Sequence, residues 1–239
     1  SHCYWTVVTV TAASFVNLQN FSKMNEELYT FDGSTDEPLK LAYFDIKGKA
    51  EGIRLALYHS KINFVDSRFP SRAVFTKQKE SGVLPYGQVP LLILPEGFRL
   101  AQSTAIMRYV GKIGGLYPTD DPVAACKIDA AADQVSDMFA GVSVSLYQER
   151  FGFGFLNGRP ADVAAVRKDL SETVLPRHLG DIEKSLKTDP GRVWLTGRSE
   201  PSIADFVLVP QLQKLMDGGV EGIDPDIFTG FPKVCRLIE

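Results

Sequence analysis

Apolar and polar positions split most of this chain into two unlike halves. Leu39 to Phe44 (LKLAYF) is a short apolar run behind a proline, and the AEGIRLALYHS segment after it sets Ile53, Leu55, Ala56 and Leu57 within one helical stripe. A strand therefore leads into a helix. Ile62 to Phe69 is strand-like, Arg72 to Glu80 is polar and helix-compatible, and Pro90-Leu-Leu-Ile-Leu has the continuous apolar character of a buried strand. A turn at Pro95-Glu96-Gly97 passes into Phe98 to Ala101, and Ser103 is placed to cap a helix carrying Ile106, Met107, Tyr109 and Val110. The order β-α-β-α-β-β-α within about 75 residues fits a small α/β sandwich.

Beyond Gly114-Gly115 and the turn from Pro118 to Pro122, every periodic segment is helical. Val123 to about Arg150, Pro160 to Leu186 and Ser202 to Asp217 have helical length, with no strand-like alternation between them. At Ser202-Ile203-Ala204-Asp205 a hydroxyl and a carboxylate stand three positions apart, the spacing of a capping box. The fold class is α/β plus all-α: an α/β domain over 38–114 and a helical domain over 123–239.

Residues 1–37 stand apart as an N-terminal extension. Cys3 to Val16 is apolar but laced with threonines, and shorter than the roughly 20 residues of a membrane-spanning helix. Only His2 precedes it, so the cationic head of a secretory signal is missing. Met24 is a candidate native start, which would make Ser1 to Lys23 leader, read-through or expression-derived sequence; a genuine extension is the alternative.

Composition narrows the function classes. With 44% apolar and 23% charged residues the chain is globular in type, and 26 Lys plus Arg against 29 Asp plus Glu leave a net charge of −3. No broad basic surface invites nucleic acid or an anionic membrane. Cys3, Cys126 and Cys235 lie far apart, which argues against a disulfide framework, a zinc site and a dithiol redox centre alike. A cytoplasmic location is the default, with Cys126 expected to pack as a small buried hydrophobe.

Four strings carry a family resemblance: YFDIKGKAEGIR at Tyr43 to Arg54, LPYGQVPLL at Leu84 to Leu92, QSTAIMRYV at Gln102 to Val110 and SIADF at Ser202 to Phe206. In this order and spacing they resemble the cytosolic glutathione transferases, the sigma class most closely. The resemblance spans from about Leu39 to the C-terminus. It implies a thioredoxin-like N-terminal domain followed by an all-helical C-terminal domain, a homodimer, and glutathione as cosubstrate. Family members continue for a further helix beyond the FPKV segment, so the last helix is expected to be truncated at Glu239.

Conjugation of glutathione to an electrophile needs its thiolate, and a free cysteine thiol ionises only near pH 8.5. Something must stabilise the anion. On the resemblance, Tyr43 donates its phenolic hydrogen bond to the sulfur, with Lys49 and a helix N-terminus adding positive potential. The cysteinyl backbone of glutathione pairs with the chain at Val89-Pro90, where the family has a cis proline, and Gln88 lies in the same loop. Gln102 and Ser103 open a helix whose N–H groups suit the γ-glutamyl carboxylate. The sigma class places a tryptophan and a lysine ahead of LPYG, where this chain reads AVFTKQKESGV; Lys77 or Lys79 is left to hold the glycyl carboxylate, with Phe75 in the ring's place.

Asp129, Asp133 and Asp137 form a like-charge helical stripe needing an offsetting partner, Lys127 or Arg108 being candidates. The resemblance carries Asp137 alone to a role, reaching the γ-glutamyl amine in the other subunit. Some sigma proteins hold a divalent cation with three aspartates here, but the middle position is Ser136, so no metal is expected. Phe44, Tyr147 and Phe151, with Phe153, are candidate walls of an electrophile pocket, and Tyr86 a candidate dimer contact. The function read from these residues is a glutathione transferase acting on hydrophobic electrophiles, with glutathione-dependent isomerase or peroxidase activity open. A non-catalytic scaffold or ligand carrier on the same fold is the alternative.

Overall fold

The structure, a computed structural model, describes residues 38–188, 191 and 193–238. The expectations for the extension, Cys3 and Met24 lie outside the described residues. Strands β1 (Leu39–Phe44), β2 (Phe64–Phe69), β3 (Leu91–Ile93) and β4 (Arg99–Ala101) form one sheet in the order β2-β1-β3-β4. β1 runs parallel to β2, pairing Leu39 with Phe64 and Phe44 with Phe69, and antiparallel to β3, pairing Lys40 with Ile93. Helices α1 (Glu51–His59), α2 (Arg72–Glu80) and α3 (Ser103–Ile113) complete a thioredoxin-like domain. Leu41, Ala42, Ile53, Leu57, Leu92 and Ile106 are fully buried in its core.

The helical domain comprises α4 (Pro122–Met138), α5 (Ala140–Leu146), α6 (Pro160–Asp169), α7 (Leu175–Lys187), α8 (Ile203–Met216) and α9 (Pro232–Arg236), with short 3-10 turns between. The helix expected over Val123 to Arg150 is broken at Phe139 (φ −94°, ψ 3°) and ends at Leu146. The sequence after the break, Gly-Val-Ser-Val-Ser, is made of weak helix formers. Ser136 Oγ and Ser145 Oγ also donate back to the carbonyls of Ala132 and Val142, which loosens helical geometry. The Pro160 to Leu186 segment stays helical but passes through a π-turn at Leu170–Val174, where Leu175 N–H donates to the Leu170 carbonyl. Pro176, one residue on, has no N–H to give and its ring would collide with a carbonyl in a regular helix; the wider turn accommodates it.

The start of α8 is set by the predicted box. Asp205, 2% exposed, accepts from Ser202 N–H and Ser202 Oγ, each at 2.8 Å, and from Leu195 N–H at 2.8 Å. At the other helix examined for a cap the expectation fails: Ser103 is the first residue of α3, and Gln102 occupies the cap position without a side-chain bond.

The two domains meet where α1 packs on α8. Pro210 has no N–H for the Phe206 carbonyl four residues earlier, and against that carbonyl lies the bare Cα of Gly52. A Cβ at Gly52 would stand 2.2 Å from the Phe206 oxygen, so only glycine permits this approach.

Candidate active site

Tyr43 is the penultimate residue of β1 and only 7% exposed. The chain then turns through Asp45 to Lys49, and Lys49 N–H donates to the Tyr43 hydroxyl oxygen at 3.2 Å. The hydroxyl accepts here, which leaves its own proton to donate elsewhere. Burial raises the Tyr43 pKa above the ordinary tyrosine value; Lys49 N–H opposes this, nearby Tyr147 adds to it, and the charges of Arg150 and Arg54 pull it down. The hydroxyl is thus protonated at neutral pH.

Two features that sequence reasoning missed hold this corner. Gly48 has φ +47°, and a Cβ there would lie 2.6 Å from the Tyr43 hydroxyl oxygen. Arg54, 3% exposed, bonds the carbonyls of Ile46 (3.0 Å) and Lys47 (3.3 Å) while pairing with Asp66 (3.1 Å) and Glu51 (3.0 Å). Its charge is thereby matched and the turn pinned. Both residues stand inside YFDIKGKAEGIR, but only the folded turn shows why a glycine and a buried arginine are needed.

Beside Tyr43 lies a small cleft of about 40 Å³ that brings together Lys49, Gln88, Val89, Pro90, Gln102 and Ser103. The Val89-Pro90 peptide is cis, and Gln102 adopts φ 75°, a left-handed conformation that costs a non-glycine residue about 1–3 kcal/mol. Arg150, from the helical domain, closes the far side and donates to Gln88 Oε1 at 2.9 Å. Nothing in the local sequence marked Arg150, whose place depends on the break in the long helix. Lys49 is exposed overall, yet desolvation of its ammonium, together with the like charge of Arg150, lowers its pKa. The cleft combines two cationic side chains, strand-edge backbone and the N-terminus of α3, a set suited to a small ligand with carboxylates and peptide groups.

A larger cavity of about 320 Å³ adjoins it, reached past Gly48, Lys49 and Ser103 and walled by Met107, Phe139, Val142, Leu146, Phe206 and Val207. Tyr147 is among its lining residues. Phe44 is not: its ring packs with Phe69 (5.8 Å between centroids) and Phe75 (4.9 Å) and meets the Tyr43 ring edge-on at 5.6 Å. The same cluster occupies Phe75. Phe151 also lies off the lining, 40% exposed with the Arg150 guanidinium 5.5 Å from its ring centre.

Lys79 lines neither cavity and lies beside Gly87, where a Cβ would come within 3.1 Å of its Cε. Asp137 is exposed on α4, while its neighbour Ser136 faces the larger cavity. Of the acidic stripe, Asp129 takes Arg108 Nε (2.7 Å) and the Tyr117 hydroxyl (2.8 Å), and Asp133 lies 3.7 Å from Arg108, so Arg108 is the offsetting partner. Tyr86 is 66% exposed, and Cys126 is exposed rather than buried. Among the described residues no three His, Cys, Asp or Glu cluster as metal ligands, and no helix is long and apolar enough to cross a membrane.

Residues 39–112 match the family model described as "Glutathione S-transferase, N-terminal domain". Glutathione S-transferase 1 of Ascaris suum is 32% identical over 200 residues, covering 84% of this chain and 88% of that protein. Among solved structures, the glutathione S-transferase of Ascaris lumbricoides superposes with a TM-score of 0.63 at 27% identity, covering 84% of this chain and 90% of the other. Prostaglandin synthase D of Nilaparvata lugens shares the fold with a TM-score of 0.68 at 24% identity, over the same shares of the two chains.

Proposed function

The chain belongs to the glutathione S-transferase family and is a glutathione-using transferase; on that premise we propose that it works in the tyrosine-dependent, sigma-like manner, with Tyr43 stabilising the glutathione thiolate. The observation that carries this is the direction of the bond at its hydroxyl. Lys49 N–H donates to the oxygen, so the phenolic proton is available to the sulfur, and burial keeps that proton on at neutral pH. A hydrogen bond to the charged form favours it, so the bound thiol ionises at lower pH than in water.

In this reading glutathione occupies the small cleft. Its γ-glutamyl carboxylate meets the α3 N-terminus at Gln102 and Ser103, its cysteinyl backbone runs along Val89-Pro90, and Lys49 and Gln88 serve its glycyl end, with Lys79 outside the cleft lining. Asp137 acts across a homodimer on the partner's glutathione. The electrophile enters the apolar cavity beside Tyr147, and the enzyme is cytoplasmic. Addition to carbon electrophiles, isomerisation of an endoperoxide and reduction of a hydroperoxide all begin from the same thiolate.

Calorimetric glutathione binding and turnover of a chloronitrobenzene on the same sample test the assignment. Tyr43→Phe should leave glutathione affinity within a few-fold, cut turnover by about 10²-fold, the usual loss of one donor to an anionic centre, and raise the pH at which bound glutathione ionises. Unchanged turnover and pH dependence would remove Tyr43 from the mechanism. Binding without turnover in the unaltered protein would make it a carrier.

A further inference from the structure

We propose that the larger cavity selects apolar electrophiles that bear a carboxylate, and that Lys214 receives that carboxylate. The inference rests on the transferase reading above and adds the substrate class. Val207, Pro210, Gln211 and Lys214 line the cavity at helical spacing, so α8 turns Lys214 to the same face as its apolar wall. Lys214 lies eight residues beyond Phe206, about 12 Å along the helix axis from the point where α8 meets Gly52. Three ammonium groups line the cavity, Lys47, Lys49 and Lys214, against one carboxylate, Asp217. Lys47 and Lys49 flank Gly48 at the Tyr43 corner, where glutathione is seated, which leaves Lys214 for the other substrate.

No hydrogen bond or ion pair engages the Lys214 ammonium among the described residues. Its neighbour Arg167 does not take a carboxylate either, since its donors go to Ser145 Oγ (3.3 Å), the Ser145 carbonyl (3.2 Å) and the Glu221 carbonyl (3.0 Å). Arg167 does not line the cavity, but its charge acts on Lys214 at this end of the wall. Partial burial and the Arg167 charge lower the Lys214 pKa, the signature of an ammonium that an anion would stabilise. An apolar chain ending in a carboxylate matches both parts of the lining. A neutral electrophile matches only the wall.

The chemistry is ordinary conjugate addition. The glutathione thiolate forms a sulfur–carbon bond at the β-carbon of an unsaturated aldehyde, the C=C π electrons pass to the carbonyl oxygen, and a solvent proton on the α-carbon restores the aldehyde. The carboxylate takes no part beyond binding.

The test compares 2-alkenals of graded length ending in a carboxylate with their methyl esters, in the unaltered chain and in Lys214→Gln. The unaltered protein should favour the acid by about fivefold in kcat/KM, the size of a partly exposed ion pair, with the preference shrinking as salt rises. Lys214→Gln should remove that preference while leaving ester turnover within twofold. An unchanged acid-to-ester ratio with ester turnover intact would overturn the proposal and leave the transferase standing. Should neither alkenal be turned over, the transferase reading fails, and equilibrium binding of a long-chain alkanoate against the matching alcohol decides the proposal. Selective weakening of the alkanoate in Lys214→Gln supports it, and equal affinities in the two proteins overturn it.

Discussion

The two cavities that meet at Lys49 and Ser103, next to Tyr43, are built of opposite materials. The small cleft takes its shape from backbone in unusual conformations, the cis Val89-Pro90 peptide and Gln102 at φ 75°, next to the turn where Gly48, at φ +47°, stands on the rim of the larger cavity. Its polar groups arrive from separate segments of the thioredoxin-like domain, with Arg150 added from the helical one. The larger cavity owes its shape to side chains on helices in ordinary conformations, to the break at Phe139 and to the proline that α8 carries within it at Pro210. Backbone geometry of the first kind holds polar atoms to within tenths of an ångström, as stabilising a thiolate requires. Walls of the second kind tolerate exchange of apolar groups of similar size. The contrast suits a constant cosubstrate on one side and a variable one on the other.

Substitution at Gly48 would break this contrast most severely, because it displaces Tyr43 without touching either ligand. In Gly48→Ala the added carbon meets the Tyr43 hydroxyl at 2.6 Å and forces a left-handed alanine. We expect turnover to fall about tenfold or more, since small misplacements of a reacting group are costly, and stability to drop by about 1 kcal/mol. The KM for the electrophile should hardly change. Parallel measurement of kcat, KM and thermal unfolding checks this; a rise in electrophile KM with kcat unchanged would mean that Gly48 shapes the apolar cavity it lines without positioning Tyr43.

Arg150 sharpens the same comparison at smaller scale, as the one residue of the helical domain that lines the polar cleft. Its charge lowers the pKa of both Tyr43 and Lys49, so it raises the positive potential where glutathione's anionic groups would sit. In Arg150→Gln glutathione should bind about threefold more weakly, with the thiol ionising at higher pH and the salt dependence of binding reduced. A titration of thiolate absorbance at two ionic strengths reads all three. Identical curves for the two proteins would show that the guanidinium serves Gln88 alone.

Much of the first domain was legible because its elements are short and bounded by local turn chemistry. β1 and α2 begin and end at the residues their patterns indicate, and Gln88, Val89, Pro90, Gln102 and Ser103 converge on one cleft. Phe44 lies off the cavity lining because its ring is taken up by the aromatic cluster of Phe69 and Phe75, partners that adjacency to Tyr43 in sequence does not reveal. The helical domain was legible in outline only. Apolar periodicity marks a helix but is blind to serine back-bonding and to a proline one turn ahead, the causes assigned here to the break at Phe139 and to the π-turn before Pro176. Arg54, Arg150 and Lys214 were missed for a different reason. Arg54 finds its partners 3 to 12 residues away, but only once the turn after β1 has formed, whereas the partner of Arg150 and the cavity of Lys214 come from elements tens of residues away that no local spacing encodes.

The apolar side offers the mildest test, and the one that separates the two cavities most cleanly. Leu146 lines the larger cavity at the end of α5 and is only partly buried, so its truncation leaves the core intact. Leu146→Ala removes apolar contact worth about 1 kcal/mol to an apolar ligand. The electrophile KM should therefore rise about fivefold, while glutathione affinity and the pH dependence of turnover stay as they were. Gly48→Ala is expected to act the other way, lowering kcat with the electrophile KM nearly unchanged. If Leu146→Ala shifted glutathione affinity as well, the two cavities would be a single coupled site, and their difference in construction would not correspond to a division of labour.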